Sequence, residues 1–511
     1  MVAVLHSYAL HGVEAQPVTV EVDVSVGMPQ FDIVGLPDAA VREARDRVRL
    51  AMRNCGLDFP NATVIVNLAP ADMRKAGTLY DLPMLLGVLL ATFALDAELD
   101  SCAFFGELSL SGAARPVTGV LPMVLRARKD GIRRVFLPAE NALEGSVVDG
   151  VEIYPVLSIE QLLGHQNGRA PIAPAPPYPL DALPPPAAPD FADVRGQAGA
   201  KRALEIAAAG GHNLLMIGPP GAGKSMLAKR LPSILPEMRF AESIETTKIH
   251  SIAGQLPPDM PIIRVRPFRA PHHTVSSAGL TGGGAVPRPG ELSLAHNGVL
   301  FLDELPEFRR DAMEALRQPI EDGTVTIGRA GGSLTYPCSI MLVAAMNPCP
   351  CGYFGHPVRK CVCSPAMVAR YLSRVSGPLL DRLDLHVEVE PVAFDSLSGP
   401  ADEEPSAAIR ARVNAARAMQ YARYAHDAFT CNARIPTAAL HRLCPMTDRA
   451  TTLLRRAFER MGLSARAYDR ILKVARTIAD LEQAEVIEER HISEAVQYRS
   501  LDRKYWSKAS E

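Results

Sequence analysis

Residues 212–225 read HNLLMIGPPGAGKS, an apolar run of strand type that leads into a glycine-rich loop. Residues 226–231, MLAKRL, then have the pattern of a helix. The loop fits Gly-x-x-x-x-Gly-Lys-Ser, and a strand before it and a helix after it are the context that a P-loop requires. The alternative, a glycine-rich turn that binds nothing, does not explain this agreement. The stretch therefore predicts an α/β nucleotide-binding core.

Each part of this loop has a predicted role in holding ATP and Mg²⁺. The glycines let the backbone wrap closely round phosphate oxygens, with its N–H groups turned inward. The helix behind the loop adds the partial positive charge of its N-terminus. Lys224 is expected to reach the β- and γ-phosphates, and the Ser225 hydroxyl is expected to hold Mg²⁺. The predicted nucleotide-binding residues are Gly218, Pro219, Pro220, Gly221, Ala222, Gly223, Lys224 and Ser225.

Length and composition exclude several classes of protein. At 511 residues the chain is long enough for several domains, each with its own core. It carries 54 Lys and Arg against 56 Asp and Glu, so a large basic field over the whole molecule is absent. No apolar run reaches the roughly 18 residues of a membrane helix, and the first residues do not form a secretory signal. We therefore expect a cytoplasmic protein with no membrane partner.

Residues 1–165 have the pattern of an α+β domain. The stretches 75–81, 106–119 and 127–141 resemble the proteolytic domain of Lon-type proteases, in the ribosomal-S5-like superfamily. Lon-type enzymes use a serine nucleophile activated by a lysine, and on an ungapped match these positions fall on Leu79 and Leu121. Neither side chain can attack a carbonyl carbon or accept a proton. We therefore expect a scaffold or assembly domain without protease activity.

A linker rich in proline and alanine is predicted at residues 166–190. Because proline lacks a backbone N–H, such a stretch neither joins a sheet nor continues a helix. It is typical of a semi-rigid spacer. The linker separates the first domain, 1–165, from a predicted ATPase core at 191–395 and a predicted helical domain at 404–511.

Two further strands of the core are predicted to end at the nucleotide. Four apolar residues precede the paired acids Asp303 and Glu304. Asp303 is expected to help position Mg²⁺, and Glu304 to polarise the attacking water. Asn347 follows a strand predicted at 339–346, where its amide is expected to orient that water. The alternatives are a solvated acidic strand end and a plain turn before proline.

Arginines after the third strand are candidates for a role between subunits. Arg382 is the candidate arginine finger, reaching the γ-phosphate of a neighbouring subunit, and Arg374 is the reserve candidate. For both, the alternative is a surface salt bridge with Asp381 or Asp384.

Together these motifs resemble those of AAA+ ATPases. More narrowly, the stretches 267–273, 290–304 and 376–382 are similar to the magnesium-chelatase-like family. With the Lon-like region in front, the match is to its ComM-type (YifB) branch, over essentially the whole chain. The resemblance implies a homo-hexameric helicase that acts with recombination proteins in natural transformation and drives branch migration of single-stranded or branched DNA. The alternatives are a motor subunit for tetrapyrrole metal insertion and an ATP-dependent protease.

Two segments are candidates for DNA contacts in a central channel. Residues 262–285 carry basic side chains and a glycine run, and residues 324–336 predict a β-hairpin. Six copies of a few basic groups can bind phosphates despite the near-neutral total charge. Packing at the subunit interface is the alternative. The predicted DNA contacts are Arg269, His272, His273 and Arg329.

Helical patterns dominate residues 404–511 and predict a helical lid. By resemblance, Arg466 takes the role of the lid arginine and senses the γ-phosphate from within the same subunit. Arg470, one turn further on, is the competing candidate. A plain surface charge is the alternative for either residue.

The chain has nine cysteines, and four of them lie in one short segment. This usage favours a reducing compartment and a metal site over a disulfide framework. Two Cys-x-Cys pairs can bring four sulfurs round a tetrahedral, structural Zn²⁺, with His356 as a substitute ligand. Free thiols are the alternative. The predicted zinc ligands are Cys349, Cys351, Cys361 and Cys363.

Overall fold

The structure, a computed structural model, describes residues 2–95, 97, 99–179, 189–284, 287–329, 332–391 and 403–506. The chain forms two compact units. The first comprises Met1–Pro184 with Ser243–Ile263, and the second comprises Pro185–Glu242 with Arg264–Glu511. Residues 243–263, which the sequence analysis assigned to the ATPase core, therefore pack with the first unit. The described helices are too short or too polar to serve as bilayer-spanning segments.

Nine strands belong to the described part of the first unit. They are β1 (Ala3–His11), β2 (Glu14–Ser25), β3 (Gln30–Val34), β4 (Thr63–Ala69), β5 (Cys102–Phe104), β6 (Glu107–Leu108), β7 (Ala114–Arg115), β8 (Arg134–Pro138) and β9 (Glu152–Val156). Seven of them form a mixed sheet in the order β3-β4-β2-β1-β5-β8-β9, while β6 and β7 pair with each other. The hairpin of β1 and β2 turns at Gly12, whose φ of 62° is a conformation that glycine tolerates.

Helices pack on this sheet through apolar faces. They are α1 (Ala39–Asn54), α2 (Asp81–Ala91), α3 (Val120–Lys129), α4 (Ala142–Gly145) and α5 (Ile159–Gln166). α1 begins after Asp38, whose Oδ1 accepts a hydrogen bond of 2.8 Å from the N–H of Val41 and so caps the helix. Leu79 and Leu121, at the positions of the Lon serine and lysine, are buried in the core of the unit. This part of the fold therefore offers no serine or lysine at those positions.

The second unit is built on a parallel sheet. Its strands are β10 (Leu214–Ile217), β11 (Phe268–Arg269), β12 (Gly282–Gly283), β13 (Arg288–Pro289), β14 (Val299–Leu302), β15 (Thr324–Arg329), β16 (Gly332–Pro337), β17 (Met341–Met346) and β18 (Leu385–Glu388). Five of them form one sheet, in the order β11-β14-β17-β10-β18, and every pairing is parallel. All residues of β10, β14 and β17 are buried. Burial on both faces explains why these strands are apolar throughout and do not alternate.

Helices surround this sheet and form the C-terminal part of the unit. They are α6 (Ala198–Gly210), α7 (Lys224–Arg230), α8 (Phe240–Ile252), α9 (Ser277–Thr281), α10 (Glu291–Leu294), α11 (Arg310–Ala315), α12 (Arg317–Asp322), α13 (Pro365–Leu372), α14 (Gly377–Leu380), α15 (Ser406–Arg423), α16 (Leu440–Leu443), α17 (Asp448–Met461), α18 (Ala465–Leu481), α19 (Glu489–Gln497) and α20 (Ser500–Tyr505). From Ser243 onward α8 belongs to the first unit. The predicted α/β architecture with a helical C-terminal region is confirmed.

The hairpin predicted at residues 324–336 is also confirmed. β15 and β16 are antiparallel, with Thr324 opposite Pro337 and Arg329 opposite Gly332. The hairpin directly follows α12 and directly precedes the segment that leads into β17. The side chain of Arg329 and the turn residues 330–331 lie outside the described residues, so its predicted DNA contact stays a prediction.

Candidate nucleotide-binding site

The carboxyl ends of three neighbouring strands bring the predicted ATP-site residues together. β10 leads into the P-loop, β14 into Asp303 and Glu304, and β17 into Asn347. β14, β17 and β10 are adjacent and parallel, so these ends lie at the same edge of the sheet. These residues line a cavity of about 370 Å³, and Gly221, Gly223 and Met226 line it as well. The order of the strands in the sheet therefore brings together residues that are far apart along the chain.

Lys224, the residue before the last in the P-loop, is held by hydrogen bonds to the start of the same loop. Its Nζ donates to the carbonyl oxygens of Gly218 (2.7 Å) and Pro219 (3.0 Å), and to Oδ1 of Asn347 (3.1 Å). The residue is only 8% exposed, and burial lowers the pKa of the ammonium group, against the opposing charges of the nearby acids. These contacts place a buried cation and a strand-end amide side by side, as the sequence predicts for a phosphate site.

Ser225 and Asp303, the predicted Mg²⁺ residues, touch each other. The Ser225 hydroxyl donates to Oδ2 of Asp303, while Oδ1 of Asp303 accepts from the N–H of Glu304 at 2.9 Å. A hydroxyl and a carboxylate beside a P-loop are the oxygen ligands with which such sites hold Mg²⁺. Ser225 and Asp303 therefore fit as residues that would hold a magnesium ion, and this fit supports their predicted roles.

Glu304 has an unusual backbone conformation. Its φ of 53° lies in the left-handed region, a conformation that residues other than glycine rarely adopt. Residues in such conformations cluster at functional sites. Its Oε2 lies 3.5 Å from Nδ1 of His273, and the ring of His273 lies 4.1 Å from that of His272. His273 was predicted to contact DNA. The structure instead brings it to the candidate catalytic carboxylate, a contact that no spacing in the sequence indicates.

Arg382 lies in a second cavity, of about 270 Å³, at the opposite end of the sheet. Its Nη2 pairs with Oε1 of Glu321 at 2.7 Å, and its other nitrogens donate to the carbonyl oxygens of Arg317 (3.0 Å) and Pro378 (2.6 Å). The alternative for Arg382 was a salt bridge with Asp381 or Asp384; the observed partner is Glu321, a residue that sequence reasoning missed.

Arg466 lines the same cavity as Arg382, and so do Arg470 and Asp384. The cavity lies at the amino end of β10, where it includes Asn213, whereas the P-loop begins at Gly218, at the carboxyl end. Five residues of extended chain separate these positions by about 16 Å, which is longer than an arginine side chain. The prediction that Arg466 senses nucleotide within its own subunit therefore does not fit where the structure places it.

Arg470 has a structural role in this cavity. Its Nη1 pairs with Oδ1 of Asp384, whose other oxygen accepts from the N–H of Asn213 at 3.1 Å and lies 3.3 Å from Nδ1 of His212. Although burial opposes ionisation, the charge of Arg470 and the contact with His212 lower the pKa of Asp384. His212 also contacts Thr477 of α18 at 2.7 Å. These buried contacts tie the helical lid to the strand that carries the P-loop.

Arg374 and Arg269 are engaged by acidic side chains elsewhere. Arg374 pairs with Glu307 at 2.8 Å on the surface, which matches the alternative of a salt bridge, although with a different partner. Arg269 makes two hydrogen bonds of 2.7 Å to Glu291. Its charge is therefore already matched inside the fold, which favours a structural role over the predicted DNA contact. His272 is exposed and bonds to Thr274, so it remains available for the predicted contact.

The four predicted zinc ligands converge. The Sγ atoms of Cys349, Cys351 and Cys361 lie 3.4 to 3.6 Å apart, and all four sulfurs lie within 4.8 Å of one another. Burial raises the pKa of the Cys349 thiol to about 12 and opposes ionisation of Cys351 too, but hydrogen bonds from the N–H groups of Tyr353 and Val362 lower the pKa of Cys351 to about 6. Four cysteine sulfurs this close together are the donor set of a structural metal site.

Comparison with known proteins agrees with this geometry. Residues 190–397 match the family described as "Magnesium chelatase, subunit ChlI". Residues 20–141 match "Subunit ChlI of Mg-chelatase", and residues 403–499 match "Magnesium chelatase, subunit ChlI C-terminal". The three matches together cover most of the chain.

Similar proteins extend over the whole length. The chain is 44% identical to the competence protein ComM of Haemophilus influenzae, over 98% of each chain. It is 42% identical to the YifB protein of Escherichia coli, over 98% of this chain and 97% of that one. A shorter similarity, 24% identity over 144 residues, or 27% of this chain and 26% of the other, links it to Lon protease 2 of Bacillus subtilis. That similarity agrees with the Lon-like resemblance of the first domain.

Proposed function

Because this chain belongs to the ComM (YifB) branch of the magnesium-chelatase-like AAA+ family, we propose that it is an ATP-driven, ring-forming DNA translocase. Its activity is to drive branch migration of single-stranded or branched DNA during recombination in natural transformation. The family implies nucleotide and Mg²⁺ as its ligands. The name of the Haemophilus relative supports the link to competence. The observation that carries the proposal of a ring is the separation of the P-loop cavity from the cavity of Arg382.

Hydrolysis takes place in the P-loop cavity. The backbone N–H groups of the loop and Lys224 bind the phosphates, and Ser225 with Asp303 orients the metal ion. Mg²⁺, when bound, supplies positive charge against the charge that develops on the transferred phosphoryl group. Glu304 accepts a proton from the attacking water, and Asn347 orients that water. This division of roles uses only groups that line one cavity.

Arg382 and Arg466 complete the site of the next copy of the chain. Both line the cavity at the amino ends of the strands, which is separate from the P-loop cavity of their own chain. A neighbouring copy in a ring brings this cavity against the other copy's P-loop, and an arginine supplied in this way stabilises the transition state. The lid arginine thus acts in trans, alongside the finger, and both respond to the same nucleotide.

Mixed rings test this arrangement. Arg382→Ala retains an intact P-loop, while Lys224→Ala retains an intact finger. Each variant alone is expected to be nearly inactive as an ATPase. Mixing them is expected to restore part of the activity, because some interfaces then combine both intact halves. Failure of every mixture to exceed the separate variants would contradict a site shared between subunits.

DNA is the proposed substrate of the movement. The hairpin of β15 and β16 and the segment around His272 are the candidate contacts. ATPase activity is measured with and without single-stranded and four-way branched DNA, with Lys224→Ala as the control. Stimulation by DNA and ATP-dependent migration of the branch point support the proposal. An ATPase that is indifferent to both DNA forms, and that leaves the junction in place, would refute it.

A second candidate is a motor subunit for metal insertion into a tetrapyrrole. The descriptions of the three matching families favour it, since each refers to magnesium chelatase. The Lon-like first domain and the four-cysteine cluster favour the translocase. A strain that lacks the protein distinguishes the two, because only the motor subunit would be needed for porphyrin metallation.

A further inference from the structure

The segment that holds the four cysteines is joined directly to the ATP site. Cys349 is two residues after Asn347, the amide that contacts Lys224. The segment from Cys349 to Cys363, here called the cysteine loop, has no regular strand in the structure. Little apolar material holds it, and its side chains Val358 and Val362 are each 85% exposed. Something other than a hydrophobic core must therefore fix its shape.

The sulfur positions fit a tetrahedral metal ion. With Zn–S bonds of about 2.3 Å, tetrahedral geometry places the sulfurs about 3.8 Å apart. The separations among Cys349, Cys351 and Cys361, 3.4 to 3.6 Å, are close to this value, and the sulfur of Cys363 lies within 4.8 Å of each of them. Cys349 also accepts a hydrogen bond from the N–H of Phe354 at 3.3 Å, a contact that orients the sulfur from outside the cluster. The nine cysteines are free of disulfides, so these four sulfurs are available as ligands.

The cysteine loop also presses against the P-loop. Gly352, the residue after Cys351, has a φ of 83°, and a Cβ at its position would lie 2.3 Å from Cδ of Pro220 and 2.6 Å from its Cγ. Only a residue without a side chain allows this approach. Pro220 is the third residue of the P-loop and lines the nucleotide cavity. Near its amino end the cysteine loop thus continues from Asn347 and, at Gly352, meets the phosphate-binding loop.

We propose that the four cysteines bind one Zn²⁺ and that this zinc site fixes the position of the P-loop, through the contact of Gly352 with Pro220. The zinc has a structural role, because four sulfur ligands leave no open position for a substrate. It holds the cysteine loop in the shape that supports both Pro220 and Asn347. The proposal rests on the nucleotide-binding part of the proposed function and does not depend on DNA.

Metal content tests the first half of the proposal. The full-length protein, purified without added metal, is expected to contain about one zinc per chain by mass spectrometry of the metals. Cys351→Ser is expected to lose most of it. Cys338→Ser is the matched control, since this buried cysteine lies outside the cluster. A wild-type protein without zinc, or with iron in its place, would overturn the assignment of the site.

Two glycines of the cysteine loop test the second half. Gly352→Ala introduces the clash with Pro220, whereas Gly355→Ala, at a similar φ of 77°, has no atom within 4 Å of the added Cβ. The backbone strain is therefore similar in both variants, and only one of them displaces the P-loop. Gly352→Ala is expected to keep its zinc but to bind a fluorescent ATP analogue about tenfold more weakly or worse. Gly355→Ala is expected to bind it like the wild type.

The outcomes separate the possible failures. Equal affinity of Gly352→Ala and Gly355→Ala for the ATP analogue would overturn the mechanical link, as would equal weakening of both. Thermal unfolding curves check that both variants are folded, and weak binding counts only for a variant that retains its zinc. A wild-type protein that binds zinc but no ATP analogue would instead refute the nucleotide-binding function, and with it the link. Lys224→Ala gives the signal expected for a disabled site.

Discussion

The ion pair of Arg382 with Glu321 predicts that Glu321 limits the ATPase activity of the chain in the absence of DNA. In this structure the guanidinium is occupied by its own chain, through Glu321 and the carbonyl oxygens of Arg317 and Pro378. To reach a neighbouring nucleotide, Arg382 must leave these partners. Glu321 lies on α12, immediately before the hairpin that is a candidate for DNA contact. In the proposed ring, Glu321 is therefore placed to hold Arg382 back until the hairpin or a neighbouring subunit moves it.

The size of the effect follows from exposure. Two unit charges about 4 Å apart interact by about 4 kcal/mol at an effective dielectric constant near 20. The Arg382 side chain is 10% exposed, but that of Glu321 is 50% exposed, so solvent reduces the net contribution of the pair to about 1 kcal/mol. Glu321→Gln keeps a hydrogen-bond acceptor but removes the charge. A change of about 1 kcal/mol in the free-energy difference between the paired and the released Arg382 corresponds to about a fivefold change in the population of the released side chain.

We therefore expect Glu321→Gln to raise ATPase activity without DNA by up to about fivefold. Arg382→Ala is expected to lower it by a factor of about 1,000 or more. Glu307→Gln is the matched control, since Glu307 is a similarly exposed carboxylate that pairs with Arg374 instead. Steady-state hydrolysis at saturating ATP measures all three. If Glu321→Gln lost activity as Arg382→Ala does, Glu321 would support the finger and would not restrain it.

Further predictions concern the metal ligand, the histidine contact and the lid. Asp303→Asn should raise the Mg²⁺ concentration needed for half-maximal hydrolysis by about tenfold, because a neutral amide is a weaker ligand; an unchanged titration would contradict this. His273→Ala should reduce the stimulation of hydrolysis by DNA by about threefold, since it removes the contact with Glu304, while His273→Gln should retain more of it. Asp384→Asn should lower the free energy of unfolding by about 3 kcal/mol at neutral pH, because it leaves Arg470 without its buried partner. Burial opposes ionisation, but Arg470 lowers the pKa of Asp384, so this stabilisation is present above the unfolded pKa of about 3.9 and is lost as the pH falls below it. Denaturant titrations at several pH values measure this difference, and a difference that grew in acid would refute the assignment.

The ATP site could be predicted from sequence because its chemistry is local along the chain. A P-loop needs fixed spacing between its glycines, lysine and serine, and each acidic or amide partner directly follows an apolar strand. The parallel sheet then brings the three strand ends together. Lys224, Asp303 and Asn347 accordingly lie round one cavity in the structure. The hairpin and the lid helix α17 were predictable for a similar reason, since each has a regular hydrophobic period.

Contacts that depend on packing over long distances could not be predicted. Glu321 and Arg382 are 61 positions apart and belong to different elements, and neither carries a motif that indicates the other. The approach of Gly352 to Pro220 is of the same kind, because it depends on two loops from different strands. The placement of Arg466 could not be predicted either, because a resemblance gives the role of a lid arginine but not the side of the sheet on which the lid lies.

A polar network at the amino end of β10 connects the P-loop cavity with the cavity of Arg382. His212 precedes this short, fully buried strand, and the P-loop follows it. His212 contacts both Thr477 of the lid and Asp384, which precedes β18 and pairs with Arg470. The strand is thus fixed to the lid at one end and to the phosphate site at the other. Since packed interiors transmit displacements and do not absorb them, we expect a shift of the P-loop on ATP hydrolysis to be carried along β10 to the cavity of Arg382. In the proposed ring, one copy of the chain would thereby report the state of its own nucleotide to the site that it completes in the next copy.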